Sequence, residues 1–250
     1  MYLLNPSTLG SQFGDNPRAR LSGPLGDYGW SVKTPASGEG HEAITRNAIG
    51  PLREIRFALA GRPMTSTLTP SEVDAIVAGN RSVDLGWMGA GVLFSLNKDE
   101  QKRHSLRRDF SQPMPAALAD VIGSLRAQHA GILAEPNPLE RMRRIGKATH
   151  LIQDSYSPAH TERRPVSNWC ISYIRNFGRG SAPREHGTPS DSRDEIARSG
   201  FEAGQATAAT RQYLQIVCKA IFGRVRPDPA AVSEAASEFD GFISSTFRLC

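Results

Sequence analysis

The stretch "HLIQDSYSPAH", residues 150–160, places a histidine, an aspartate and a second histidine around one proline. If His150 and Asp154 share a helix, both side chains lie on one face, because about 3.6 residues make a turn. Pro158 cannot continue that helix without losing a backbone hydrogen bond, so the chain should turn there and bring in His160 from another direction. This arrangement suits a metal cluster. The alternative is a helix end with a solvated aspartate and two histidines that bind no metal.

The segments before this stretch predict a helical protein. "PAALADVIGSLRAQHAGILA" from Pro115 and "NPLERMRRIGKATHLIQDSY" from Asn137 are amphipathic and contain small residues that allow helices to pack closely. The segment from His41 to Leu59 repeats apolar residues at nearly helical spacing, with an expected kink at Gly50. We therefore expect three helices in these parts of the chain.

Two further segments are helix candidates by their end signals or composition. In "TPSEVDAIVAGN", Thr69 is the expected N-cap, Pro70 the first helical residue and Gly79 the stop. "PVSNWCISYIRNF" from Pro165 is the other candidate.

The last part of the chain predicts two long helices. Thr188 or Ser190 could cap a helix that runs to about Phe222, and another should follow Pro227. The first 40 residues are rich in Gly, Pro, Ser and Asn and predict irregular structure. Because no alternating strand pattern exceeds four residues, the expected architecture is a single all-α domain.

The composition is that of a globular protein of 250 residues, with 39% hydrophobic and 22% charged residues. No apolar run approaches the roughly 20 residues of a membrane-spanning helix, so any membrane contact should be peripheral. The apolar run near the start has three residues, whereas a secretory signal needs about 7 to 15, so we do not expect classical export. The net charge of +5 favours anionic partners without distinguishing nucleic acid from phospholipid.

Histidine rather than cysteine is the expected metal ligand. Cys170, Cys218 and Cys250 form no CxxC pair, which argues against a cysteine zinc site, and their odd number leaves a free thiol or an intermolecular bridge. Three buried, ordinary thiols are the simplest interpretation. A chain poor in cysteine that binds zinc must use imidazole and carboxylate. The six histidines are His41, His104, His129, His150, His160 and His186.

The motif at 150–160 resembles that of the zinc-dependent phospholipase C family, the bacterial phosphatidylcholine-preferring type, whose fold is shared with single-strand-specific zinc nucleases. "GEGHEAIT" looks like the family's early histidine motif, and Trp30 lies eleven residues before His41. Asp84 and His104 follow in the family's order. The resemblance covers about residues 30–195 and implies a multi-helix catalytic domain at 30–250 after an irregular leader at 1–29.

The resemblance implies three zinc ions. The first would be held by Asp84, His104 and His150, and Asp154 would bridge it to the second. Asp84 is also the candidate for orienting or deprotonating the attacking water. Zinc supplies hydroxide at neutral pH by lowering the pKa of water, so no serine or cysteine nucleophile is required.

The second ion would take His41 and the main chain of Trp30. In the family this tryptophan binds zinc through a free amino group, but here Trp30 is internal and its amide nitrogen is a poor donor. Either the leader is removed after Gly29, or one zinc is held without that amine.

The third ion would take His160, His186 and an acid. The family's acid lies four positions after the last histidine, where this chain has Ser190. Asp191 is the favoured replacement and Asp194 the alternative. His129 has no counterpart in the family and is expected to be a helix-packing or surface residue.

The activity implied by the resemblance is that of a phospholipase C, which releases diacylglycerol and a phosphorylated head group from phosphatidylcholine-type lipids. The expected protein is a monomer that contacts membrane surfaces peripherally and does not bind nucleic acid. It would be secreted by a route without a classical signal peptide, or else be cytoplasmic. One alternative is a nuclease on the same zinc site, with Tyr156, Trp87 and Trp169 as base platforms. Another is a non-catalytic helical protein with structural zinc.

Overall fold

A computed structural model describes residues 40–88, 101–158, 160–164, 169–176, 200–225 and 229–250, without the side chains of 84–88, 200, 201, 224 and 225. Within these residues the protein is mainly helical, as predicted, and also contains two small antiparallel hairpins. In chain order the elements are α1 Gly40–Ile49, β1 Glu54–Leu59, β2 Arg62–Thr67, α2 Pro70–Met88, a 3₁₀ turn Lys102–His104, α3 Met114–Ala134, α4 Pro138–Asp154, β3 Thr161–Arg164, β4 Cys170–Ile174, α5 Gly200–Val225 and α6 Pro229–Thr246.

Helix α2 begins where the sequence predicts. The amide of Glu72 donates to Thr69 Oγ1 at 3.3 Å, and the amide of Thr69 donates to Glu72 Oε2 at 2.7 Å, which together form a capping box. The predicted stop at Gly79 is wrong, because α2 continues to Met88. Gly79 instead permits a close helix contact: a Cβ atom there would lie 2.0 Å from the carbonyl oxygen of Arg143 in α4.

Helix α4 is the predicted helix from Asn137, whose side chain caps it by accepting from the amide of Glu140 at 3.0 Å. It meets α2 at a second close contact, because a Cβ atom on Gly146 would lie 1.9 Å from the carbonyl oxygen of Ile76. The two glycines therefore bring the backbones of α2 and α4 together. The carboxyl-terminal half of α4 is buried as a result.

The predicted helix from His41 to Leu59 is wrong beyond Ile49. Gly50 has φ +81° and its amide donates to Arg46 O at 2.8 Å, which ends α1. The chain then forms β1, in which apolar residues at alternate positions point into the core, and β1 pairs with β2. Leu52, expected on the apolar face of a helix, is 67% exposed.

The predicted helix from Pro165 is also wrong where the structure describes it, because Cys170–Ile174 forms β4, paired with β3. Cys170 is disulfide-bonded to Cys250, so the expectation of three thiols is wrong as well. The amide of Ile171 donates to Arg248 O at 2.7 Å, and that of Cys250 donates to Ile171 O at 3.1 Å. β4 is therefore hydrogen-bonded both to β3 and to the segment around Cys250. Cys218, the remaining cysteine, is a buried free thiol.

The core is formed mainly by the helices, with Leu151 and Ile152 of α4 packed among Tyr213 and Val217 of α5 and Phe242 of α6. The last two helices largely match the predicted ones, although the expected caps at Thr188 and Ser190 lie outside the described residues, as does the predicted leader. Among the described helices, none combines the length and the apolar composition needed to cross a bilayer.

Candidate metal centre

The end of α4 supplies the centre of the candidate site. His150 and Asp154 lie one turn apart on the same face, and His150 Nε2 is 3.0 Å from Asp154 Oδ2. Both side chains are at most 1% exposed, so this is not the solvated aspartate of the alternative interpretation. Burial of a carboxylate among imidazoles is costly unless its charge is compensated.

His104 reaches this aspartate from the 3₁₀ turn before α3. Its Nδ1 atom lies 3.1 Å from Asp154 Oδ2 and 3.2 Å from His150 Nε2. Ser105, the next residue, has φ +52° and its hydroxyl donates to Leu151 O at 2.8 Å. The turn is thus tied to α4 directly beside the site.

His160 enters from the turn after α4, as expected from Pro158. The amide of Ser157 donates to Asp154 O at 3.0 Å, and that of His160 donates to Ser157 O at 2.9 Å, so the chain reverses there. His160 Nδ1 donates to the carbonyl oxygen of His104 and lies 3.6 Å from Asp154 Oδ2. The amide of Arg175 donates to His160 O at 2.8 Å, which connects this turn to the end of β4.

His41, in the first turn of α1, approaches the other oxygen of the aspartate. Its Nε2 atom lies 3.1 Å from Asp154 Oδ1, and its ring is stacked on that of His150 with 4.1 Å between centroids. His41 Nδ1 is 2.8 Å from Gln153 Oε1. Asp154 thus directs one oxygen toward His41 and the other toward the remaining imidazoles.

His41, His150 and Asp154 could hold a metal ion, because one donor atom from each lies within 4.8 Å of the others and all three residues are buried. Burial by itself raises the pKa of the Asp154 carboxyl, but the positive charges that His150, His160 and His41 carry when protonated outweigh that effect and hold this pKa well below its usual range. Burial lowers the pKa of His160 despite the opposing charge of Asp154. The site therefore favours an ionised carboxylate, and at His160 a neutral imidazole, which are the forms that bind metals.

The other predicted ligands are not placed by the structure. Asp84 lies in the last part of α2, one turn after Asn80, and its side chain is outside the described residues. Trp30, His186 and Asp191, together with the alternative Asp194, also lie outside them.

The structure also describes the surroundings of His129 and Tyr156, neither of which is a predicted metal ligand. His129 is buried in helix packing: its ring is stacked on Phe239 with 3.9 Å between centroids, and its Nδ1 is 3.2 Å from the Tyr213 hydroxyl. Tyr156 is 9% exposed and lies under the guanidinium of Arg163 at 4.0 Å. The first arrangement excludes a surface role for His129, and the second leaves little of Tyr156 open to a base.

Sequence reasoning missed Arg163, which holds the turn after the site. Its Nε donates to Ser155 O at 2.6 Å, and its Nη1 donates to Trp169 O at 2.8 Å and Thr246 O at 3.0 Å. Burial lowers the pKa of Arg163 to about 10. The sequence gives no signal for this role, because these partners are main-chain carbonyl groups, which every residue carries, and one of them, Thr246 O, lies 83 positions away.

Sequence reasoning also missed Gln153, whose side-chain amide lies against His41. Gln153 follows Thr149 by four residues, so the two polar side chains share a face of α4 that also carries apolar residues, and this spacing could have indicated that both are buried. A pair of polar residues on a buried helix face requires hydrogen-bond partners inside the protein.

Comparison of the chain with protein-family models, with curated proteins and with solved structures gives no match.

Proposed function

We propose that the protein is a zinc-dependent phosphodiester hydrolase, and specifically a phospholipase C that cleaves phosphatidylcholine-type lipids into diacylglycerol and a phosphorylated head group. The observation that supports this most directly is the burial of one aspartate among four imidazoles contributed by separate segments of the chain. The short motif at 150–160 carries the resemblance to the phospholipase C family, and His41 and His104 meet that motif in the fold.

The proposed centre holds three zinc ions. Neutral imidazole and carboxylate are the donors that zinc favours, and the residues present fit it on that ground. Since the oxygens of Asp154 face different histidines, a bridging role between two ions suits the carboxylate. His160 belongs to the proposed third ion with His186 and Asp191.

Bound zinc would supply a nucleophile at neutral pH and neutralise charge on the phosphate. Asp84 is the residue proposed to orient or deprotonate the attacking water. The buried imidazoles around Asp154 would exclude other water from the reacting phosphate. Cys218 is unsuited to act as a nucleophile, because burial raises its pKa to about 12.

The proposed setting is outside the cell, on a membrane surface that the protein contacts peripherally as a monomer. The disulfide between Cys170 and Cys250 supports this setting over the cytoplasm, since disulfides persist in oxidising compartments. The net charge of +5 is compatible with binding to a membrane that contains anionic lipids, and it does not distinguish that surface from nucleic acid.

The alternatives have less support. A nuclease needs aromatic faces that accept bases, and Tyr156 is covered by Arg163. A structural zinc protein uses closed sites of four protein ligands, whereas in the proposed centre three ions share their ligands, which leaves positions for water or phosphate.

The decisive experiment combines metal analysis with turnover of two substrates. Purified protein would be assayed on phosphatidylcholine vesicles and on single-stranded DNA, before chelation, after chelation and after zinc is restored. We expect vesicle hydrolysis that disappears with the chelator and returns with zinc. Hydrolysis of DNA alone would identify the nuclease, and bound zinc without turnover of either substrate would favour the structural protein.

A matched pair of variants ties the activity to the cluster. His104→Asn removes an imidazole that contacts Asp154, while His129→Asn removes a buried imidazole elsewhere. We expect the first to lower vesicle hydrolysis at least tenfold, as losses around a metal commonly do, and the second to leave it unchanged at temperatures where the variant is folded. Equal activities in the two variants would refute the assignment.

A further inference from the structure

A row of buried polar groups from α2 and α4 lies behind His41. Thr149, Asn80 and Gln153 are each 0% exposed, so bulk water cannot exchange places with any of their partners. Buried polar groups are costly unless they are hydrogen-bonded. The direction of each hydrogen bond in this row can be derived from one fixed acceptor at its far end.

That fixed acceptor is the main-chain carbonyl of Gly146. The Thr149 hydroxyl lies 2.8 Å from it, and since a carbonyl oxygen can only accept, the hydroxyl must donate its single proton there. Thr149 Oγ1 can then only accept from its other neighbour. That neighbour is the side-chain amide of Asn80 at 3.2 Å, so the Asn80 group facing Thr149 must be the NH₂.

The NH₂ of Asn80 also faces Gln153, at 3.2 Å, and must meet an acceptor there, which is the amide oxygen of Gln153. The Gln153 nitrogen then points the other way and donates to Thr45 Oγ1 at 2.9 Å and Thr210 Oγ1 at 3.4 Å. Asn80 Oδ1 has no hydrogen-bond partner within the described chain, which costs about 1 to 3 kcal/mol. The orientation of Asn80 is therefore set by Thr149 and not by its own oxygen.

The last step reaches the candidate metal centre. Gln153 Oε1 lies 2.8 Å from His41 Nδ1 and can only accept, so Nδ1 must carry a proton. In a neutral ring the lone pair is then on Nε2, which lies 3.1 Å from Asp154 Oδ1. A lone pair and a carboxylate oxygen facing each other repel, and a cation between them converts that repulsion into attraction.

We propose that Thr149, Asn80 and Gln153 are positioning residues that hold His41 in the Nδ1–H tautomer and so present its Nε2 to a cation shared with Asp154. The identity of that cation as zinc rests on the proposed function, whereas the tautomer does not. An acceptor on the non-coordinating nitrogen is a common way to orient a histidine ligand and raise its affinity for metal.

The test uses Thr149→Val, which preserves the shape of the side chain but removes the acceptor for Asn80. Both side-chain amides can then turn over, so that Gln153 presents its NH₂ to His41. Thr207→Val is the matched control, since Thr207 is also buried and its hydroxyl donates to a main-chain carbonyl of its own helix, Ala203 O, at 2.8 Å.

Two measurements test the tautomer of His41 and the binding of metal independently. Long-range proton–nitrogen NMR on metal-free protein, at a pH where the ring is neutral, should show Nδ1–H for His41 in the wild type and the Thr207 variant, with Nε2–H gained in Thr149→Val. Titration with Zn²⁺ alone should show about tenfold weaker binding to the site of His41 in Thr149→Val only.

The outcomes are distinguishable. An Nδ1–H tautomer that does not respond to Thr149→Val, or an Nε2–H tautomer in the wild type, overturns the proposal even if the protein hydrolyses phospholipid. A tautomer that responds as expected in a protein that binds no zinc upholds the hydrogen-bond argument and refutes the proposed metal. If Thr149→Val does not fold, Gln153→Met supplies the same test, because it removes the acceptor next to His41.

Discussion

Reducing the disulfide bond between Cys170 and Cys250 should destabilise the protein by an amount that depends on the length of the loop that the bond closes. The two cysteines are separated by 80 residues. The chain-entropy model for a loop of that length gives about 4.5 kcal/mol at 25 °C. For a protein of this size, each kcal/mol corresponds to roughly 2 to 4 °C in Tm, so we expect Tm to fall by about 9 to 18 °C.

The assay is thermal unfolding followed by circular dichroism, with and without reductant, on the wild type and on Cys250→Ser. Reductant should lower the wild-type Tm to near that of the variant and have no further effect on the variant itself. A thiol count on unfolded, unreduced wild type should find one thiol, that of Cys218. Three thiols, or a change of Tm below about 2 °C, would refute the reasoning.

Four other outcomes are expected. Asp154→Asn should lower zinc content and abolish turnover, because it removes the charge of the proposed bridging carboxylate; full zinc content by elemental analysis would contradict the assignment. His129→Ala should lower Tm through lost stacking but keep zinc stoichiometry, whereas His160→Ala should lose zinc, and equal zinc losses would show that the wrong histidines were chosen. Gly146→Ala should destabilise the fold by about 3 kcal/mol or more in urea unfolding, since its Cβ would lie 1.9 Å from a carbonyl oxygen; wild-type stability would contradict that contact. A form that begins at Trp30 should bind its last zinc more tightly and hydrolyse phosphatidylcholine faster than the full chain, and equality in both measurements would mean that residues 1–29 are not inhibitory.

The helices that the sequence predicts well are those with local end signals. Asn137 caps α4 and Thr69 caps α2 through hydrogen bonds to residues three positions away, which a sequence pattern can contain. β1 was missed because Ile55 and Leu59 are four residues apart, a spacing that fits a helix as well as alternate positions of a strand. β4 was missed because pairing with β3 and with the segment around Cys250 determines its structure.

The candidate metal centre shows the same difference between local patterns, which could be predicted, and long-range contacts, which could not. The spacing of His150, Asp154 and His160 allowed their convergence to be predicted from one turn of helix and one proline. The spacing of Gln153 from Thr149 could have marked it as a buried polar residue, but its partners Asn80 and His41 could not be predicted, because they belong to other helices. Contacts between segments far apart in sequence are outside what a periodic pattern encodes.

The backbone contacts of α2 with α4 affect how a mutational scan of this protein would be interpreted. No side chain fits at Gly79 or Gly146 without displacing main-chain atoms of the opposite helix. In a saturation library scored by activity, every substitution at these positions should deplete as strongly as changes at His150 or Asp154. Scoring the same library for protein abundance would separate the two classes, because even alanine at the glycine positions should remove the protein from the folded pool, whereas conservative changes such as Asp154→Asn should leave folded protein that lacks activity.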